Sequence, residues 1–195
     1  LHVIFLFLVS HYTIAQCSGN LVLNPSFETF TTCPPDINPS CSPDYVTYAT
    51  SWTTTNCPCS PDYFRTCGGV GVDIPANNFG NQAANTGSAY MGAFTLAGMA
   101  VEYRELISVP LLSPLVAGTS YTFEMYVSLS DESVHGSAIA AYFSVGLPSI
   151  GCFTLTGVTP QVSFGAVTNK TNWVLVSSNF IAAGGESHVT IGNFL

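Results

Sequence analysis

Basic residues are almost missing. Arg65, Arg104 and Lys170 are the whole supply in 195 residues, against 11 acidic ones, for a formal net charge of −8. A chain without a basic patch has no electrostatic footprint for a phosphate backbone, so nucleic acid is excluded as a partner, and anionic membrane surfaces by the same reasoning. Long apolar runs are missing too. Hydrophobic residues make up 47% and charged ones only 7%, yet no internal segment approaches the roughly 20 apolar residues that cross a bilayer. Membrane insertion is therefore not expected. There is no convincing helical period, no repeat of fixed length, no G-x-S-x-G and no H-E-x-x-H. Glu102 and Glu105 would point to opposite faces of a strand, a poor arrangement for the two facing carboxylates of a glycosidase. His135 and His188 stand apart from any partner motif. Catalysis is not expected.

What is present is β-forming. Ser, Thr and Asn supply the polarity, and Thr, Tyr, Phe and Val are abundant. The cleanest strand puts Tyr121, Phe123, Met125, Val127 and Leu129 in alternation with Thr122, Glu124, Tyr126 and Ser128, a period of two. Shorter alternating runs follow the same rule at AYMGAF, at AVEYRELIS, at SAIAAYFSVG, and on both sides of the turn AAGGES. NLVLNPSFETF, residues 20 to 30, alternates as well and is expected to be the opening strand, with one acidic residue, Glu28, set between Phe27 and Phe30. Seven or eight such strands joined by Gly- and Pro-rich connections predict an all-β sandwich in one domain.

The first residues, LHVIFLFLVSHYTIAQ, read as an export signal, with small residues at Thr13 and Ala15 and a mature chain from Gln16. Residues 1–15 are taken as that signal, missing its first codons, and 16–195 as one domain whose last strand is expected to be cut short. Acylation of Cys17 is the weaker alternative. A secreted or cell-surface location makes disulfides the expected use of the seven cysteines. Five of them, Cys33, Cys41, Cys57, Cys59 and Cys67, fall in a Pro-, Asp-, Ser- and Thr-rich insert spanning 33–67, too poor in aliphatics to read as ordinary core. Cys57-Pro-Cys59 lacks the second spaced pair of a zinc site, and the pairing favoured here joins Cys33 to Cys67 across the insert.

The order of short motifs carries a resemblance. NLVLNPSFE is followed by Trp52, SPDYFRTC, NNFGNQAANTGSAYMG, EYRELI, PLVAGTSYTFEMYVSLSDES and NWVLVSSNFIAAGGESHVTIGNF. In that order they resemble an N-terminal domain of large secreted surface proteins of gliding-type bacteria and, more distantly, carbohydrate-binding modules with the galactose-binding-like jelly-roll fold. The resemblance implies a jelly roll, downstream domains in the same chain, and a structural Ca2+ held by Glu28 with carbonyls of a turn such as Thr86-Gly87-Ser88. Calcium takes roughly six to eight oxygen ligands. The acidic partner expected near the last strand is not found after Ile191-Gly192-Asn193-Phe194.

The leading function is non-catalytic recognition of a carbohydrate or another surface or matrix polymer. Sugar rings stack on exposed aromatic faces. Trp52, Tyr45 and Tyr63 of the insert and Tyr126 on the polar face of its strand are the expected ligand contacts. The alternative is a structural or adhesion module with no glycan ligand, and a minor one is an accessory domain of a hydrolase. Whether the insert exposes its aromatics together separates the first two.

Overall fold

In a computed structural model the residues described are 19–39, 44–55, 59–95, 97–98, 102–153 and 157–194. Residues 1–15, expected to be an export signal, and Cys17, Cys41 and Cys57 lie outside them. The described residues are all-β apart from one 3-10 turn at Tyr45–Tyr48. In order, the strands are β1 (Thr53–Thr54), β2 (Asp62–Arg65), β3 (Ala76–Asn77), β4 (Gly80–Asn81), β5 (Ala89–Gly92), β6 (Ala97–Gly98), β7 (Glu102–Tyr103), β8 (Ile107–Pro110), β9 (Ser120–Val127), β10 (Ala138–Ser144), β11 (Val162–Ala166), β12 (Val174–Ile181) and β13 (His188–Gly192). No helix among them is long and apolar enough to cross a membrane.

Five strands form one antiparallel sheet in the order β1-β8-β13-β10-β11, and β9 pairs with β12 in a separate antiparallel ribbon. β9 follows its alternation: Phe123 and Val127 are buried, while Thr122, Glu124 and Tyr126 face out. The inward residues close the core against the sheet. Phe180 of β12 stacks on Phe143 of β10 with centroids 4.3 Å apart, and Phe123 meets Phe143 edge-on at 5.8 Å. Val109, Val162 and Val189 complete this layer with almost no exposure. β12 and β13 flank the AAGGES turn as expected, but they do not pair with each other. The buried Glu186 carboxylate accepts the N–H groups of Ala183 and Gly184, each at 2.8 Å, and the chain crosses there from ribbon to sheet.

Three expectations are corrected. The stretch from 20 to 30 is not a strand; it makes isolated bridges at Val22–Leu111 and Phe30–Ala49. Pro25 removes a ladder donor, and Asn24 turns the chain instead. Its side chain accepts from Thr29 N–H and donates to the Thr29 and Thr50 carbonyls, with φ positive at Asn24 and Phe27. AVEYRELIS breaks between β7 and β8, because Arg104, Glu105 and Leu106 are all buried rather than alternating. The cysteine-rich insert, in turn, is not a loop laid over the domain. It supplies sheet edge β1, strand β2 paired with β5, and the core residues Val46, Ala49, Trp52 and Tyr63. Its aromatics do the filling that its missing aliphatics cannot.

Among the described residues two disulfides bind this region in. Cys33–Cys67 brackets the insert, and Cys59 joins Cys152, 93 positions later, with both sulfurs' residues fully buried.

Candidate functional site

The residues expected to contact a ligand divide sharply. Trp52 and Tyr63, at 3% and 1% exposure, are core residues and cannot offer a ring face, which corrects the expectation for both. Their polar ends are used internally: Trp52 Nε1–H donates to the Asn24 carbonyl and the Tyr63 hydroxyl to the Phe27 carbonyl, both at 2.9 Å. Tyr45 is half-buried and stacked on Tyr48, centroids 5.2 Å apart. Tyr126 is the one that stays out, 51% exposed.

Glu28 is brought to Ser88 as expected, but the company is different. Its Oε1 accepts the Ser88 N–H at 2.7 Å, and Oε2 accepts the Ser88 hydroxyl at 2.8 Å and Arg65 Nη1 at 3.2 Å. Arg65 also reaches the Tyr63 hydroxyl at 3.3 Å and lies 3.8 Å from the centre of the Phe30 ring. Burial raises the Glu28 carboxyl, yet the Ser88 amide and hydroxyl and the Arg65 charge outweigh it and hold the pKa below its ordinary value. Thr86 is exposed and makes no hydrogen bond to this carboxylate. A carboxylate ringed by two N–H donors and one hydroxyl is a paired anion. Among the described residues no group of three or more His, Cys, Asp or Glu stands close enough together to share a metal ion.

Gly87 explains why this turn is glycine. Its φ is +65°, and a Cβ there would sit 2.8 Å from Cδ of Glu28. Gly87→Ala is expected to lower stability by roughly 2 kcal/mol, from left-handed strain and from displacing the carboxylate. In a Glu28→Ala background the thermal-melt cost should fall to the strain alone. An equal cost in both backgrounds would show that Gly87 makes no room for Glu28.

Two carboxylates that the sequence did not single out as a pair are buried behind β2. Glu105, 1% exposed, accepts the Tyr103 hydroxyl at 2.7 Å, the Ser60 N–H and hydroxyl at 3.2 and 3.1 Å, and the Phe94 N–H at 2.8 Å. Burial pushes its carboxyl up. Asp62 accepts the Asn38 N–H at 2.6 Å; burial, only partly offset by that bond, raises its pKa to about 7, with Glu105 and Asp36 adding repulsion. These groups are closed inside the fold.

No protein-family model matches the chain, and no curated protein matches it. The site is therefore built from its own geometry. On the outward face of the β9–β12 ribbon, Tyr126 stands opposite Leu175, Glu124 opposite Ser177 and Thr122 opposite Asn179. Tyr126 and Leu175 are about half exposed. The Ser177 hydroxyl donates to Glu124 at 3.0 Å, and the Thr122 hydroxyl to Asn179 at 2.6 Å. Alongside, an open groove of about 350 Å³ runs between β11 and the ribbon, with Val127, Phe164, Val174 and Val176 in its walls and no ionisable side chain among its lining residues. The result is an apolar pair continuing into a row of hydroxyl, amide and carboxylate groups. Such a surface can stack a ring and hydrogen-bond its substituents, and it holds no matched acid and base.

Proposed function

We propose that this chain is a non-catalytic recognition module of jelly-roll type, exported and stapled by disulfides, which holds a carbohydrate or similar hydroxyl-rich polymer on the outward face of the β9–β12 ribbon. The observation that carries the reading is the exposed Tyr126–Leu175 pair leading into the Glu124–Ser177 and Thr122–Asn179 rows. A ring face next to fixed hydrogen-bonding groups suits a sugar, whose apolar C–H face and hydroxyls alternate. The scarcity of cations favours a neutral polymer over an anionic one. The lack of catalysis is supported by the position of the strongly perturbed carboxylates, Asp62 and Glu105, which are buried and bonded internally.

A second reading is favoured by the burial of Trp52 and Tyr63: a structural or adhesion module in which the insert's aromatics serve only the core. Glycan-array binding separates the two. Recognition predicts retention on at least one neutral polysaccharide and a loss of roughly tenfold or more in Tyr126→Ala, since base and sugar stacking on one aromatic ring is worth about 1–3 kcal/mol. Undiminished binding in a folded Tyr126→Ala/Leu175→Ser protein would remove this face from consideration. An array blank across plant, algal and bacterial glycans would leave the structural module.

A further inference from the structure

A second exposed apolar surface lies outside the β9–β12 ribbon. Phe94 and Phe153 are 45% and 48% exposed, and half-buried Tyr103 lies between them, with ring centroids 6.5 Å and 5.4 Å away. Successive planes are tilted by 60° and 53°, so the three rings form a faceted strip rather than a stack. Each ring comes from a different segment, and each is tied down. Glu105 fixes two of them: Oε1 takes the Tyr103 hydroxyl, Oε2 takes the Phe94 N–H, and the Glu105 N–H returns to the Phe94 carbonyl at 2.7 Å. Phe153 follows Cys152, which is bonded to Cys59 and whose carbonyl accepts the Arg104 N–H at 2.9 Å. From the inner end, Phe79 meets Phe94 edge-on at 5.8 Å and carries the ring contacts on to Phe64. Large exposed apolar side chains held this way are preorganised, the condition under which aromatic anchors contribute most to binding.

Charge selects the occupant. The chain has net charge −8 and three basic residues, of which Arg65 is paired with Glu28, Lys170 donates to the Asp131 and Ser133 carbonyls, and Arg104 is buried. The chain as a whole is therefore acidic and attracts cationic partners, and the rings present electron-rich faces on which guanidinium groups bind well. We propose that the Phe94–Tyr103–Phe153 strip is a docking site for an arginine-bearing basic peptide segment of a partner protein.

The test is fluorescence anisotropy with a labelled oligo-arginine peptide, against oligo-glutamate and a neutral Gly/Ser peptide, at low and physiological salt. The arginine peptide alone should bind. Phe94→Leu/Phe153→Leu, which keeps the net charge and most of the apolar area, should weaken it roughly tenfold, while Tyr126→Ala leaves it unchanged. Equal binding by the double leucine variant would show attraction to net charge alone and overturn the proposal. So would a neutral glycan that binds through these rings while the peptide does not. Should the double variant misfold, fluorine NMR of the wild-type protein carrying fluorophenylalanine decides the matter. Resonances of Phe94 and Phe153 must shift on peptide addition, and unmoved resonances refute docking here. Because Tyr126 is absent from this strip, failure here leaves the ribbon reading intact, and the reverse holds.

Discussion

Between pH 5 and pH 8 the melting temperature is expected to fall by about 10 °C, and the Asp62→Asn protein should lose most of that slope. Asp62 is buried, with a pKa raised from 3.8 to about 7 by loss of hydration first, then by Glu105 and Asp36. A carboxyl whose folded pKa lies above its unfolded one favours the folded state when protonated. The contribution is complete below pH 3.8 and disappears as pH rises through about 7. A shift of this size corresponds to roughly 4 kcal/mol in all, of which roughly 3 kcal/mol is lost between pH 5 and 7, and a chain of this length changes its melting temperature by about 2–4 °C per kcal/mol. Glu105, also raised, acts in the same sense. His188, lowered by burial, acts oppositely, since its neutral form is favoured and its contribution is lost on acidification. Glu28, lowered, matters only on the acid side of its ordinary 4.5. Asparagine at 62 keeps an oxygen for the Asn38 N–H and has no charge to bury, so comparing the two proteins isolates this one group. Parallel pH profiles would show that Asp62 does not titrate in this window.

Removing the Cys59–Cys152 bridge is expected to cost more than removing Cys33–Cys67. It closes 93 positions, worth roughly 4.5 kcal/mol of unfolded-chain entropy, against roughly 4 kcal/mol for the 34 closed by Cys33–Cys67. Burial widens the gap. Cys59 and Cys152 are 0% and 1% exposed, so Cys59→Ala/Cys152→Ala also leaves a void, whereas Cys67 faces solvent. The bridge also steadies the region where the Thr55 hydroxyl donates to the Ile150 carbonyl at 2.9 Å. Denaturant midpoints of the two double variants measure the order directly. A larger loss on removing Cys33 and Cys67 would contradict it. The Cys59/Cys152 variant should in addition lose peptide affinity at Phe153.

What could be read from the sequence depended on how local its cause was. β9 was legible because a half-buried ribbon writes its two faces into neighbouring residues, Phe123 in and Glu124 out. The same alternation at 20 to 30 misled, because a single Asn24-Pro25 step converts it into a turn whose evidence is a side-chain bond to Thr50. Trp52 and Tyr63 were drawn outward by their Pro- and Ser-rich surroundings. Their burial is decided by partners such as Phe27, 4.7 Å from Trp52, and by the sheets on either side. Glu28 announced itself as an odd acid, but Arg65 stands 37 positions away, where spacing gives no hint of pairing. The Phe94–Tyr103–Phe153 strip left no pattern at all, since its three rings come from three separate segments, β7 and two connections, that only the fold brings together.

The strand order also constrains when the molecule can exist. β13 comes after every other strand among the described residues, yet it lies in the middle of the five-stranded sheet, bonded to β8 on one side and β10 on the other. As the polypeptide emerges from a ribosome, the β13-facing edges of β8 and β10 stay bare until residues 188–192 arrive. Such a sheet closes by long-range pairing, which is slow, and its unfinished form offers open edges to any neighbouring chain. This sheet therefore closes only once residues 188–192 are available to pair with both β8 and β10.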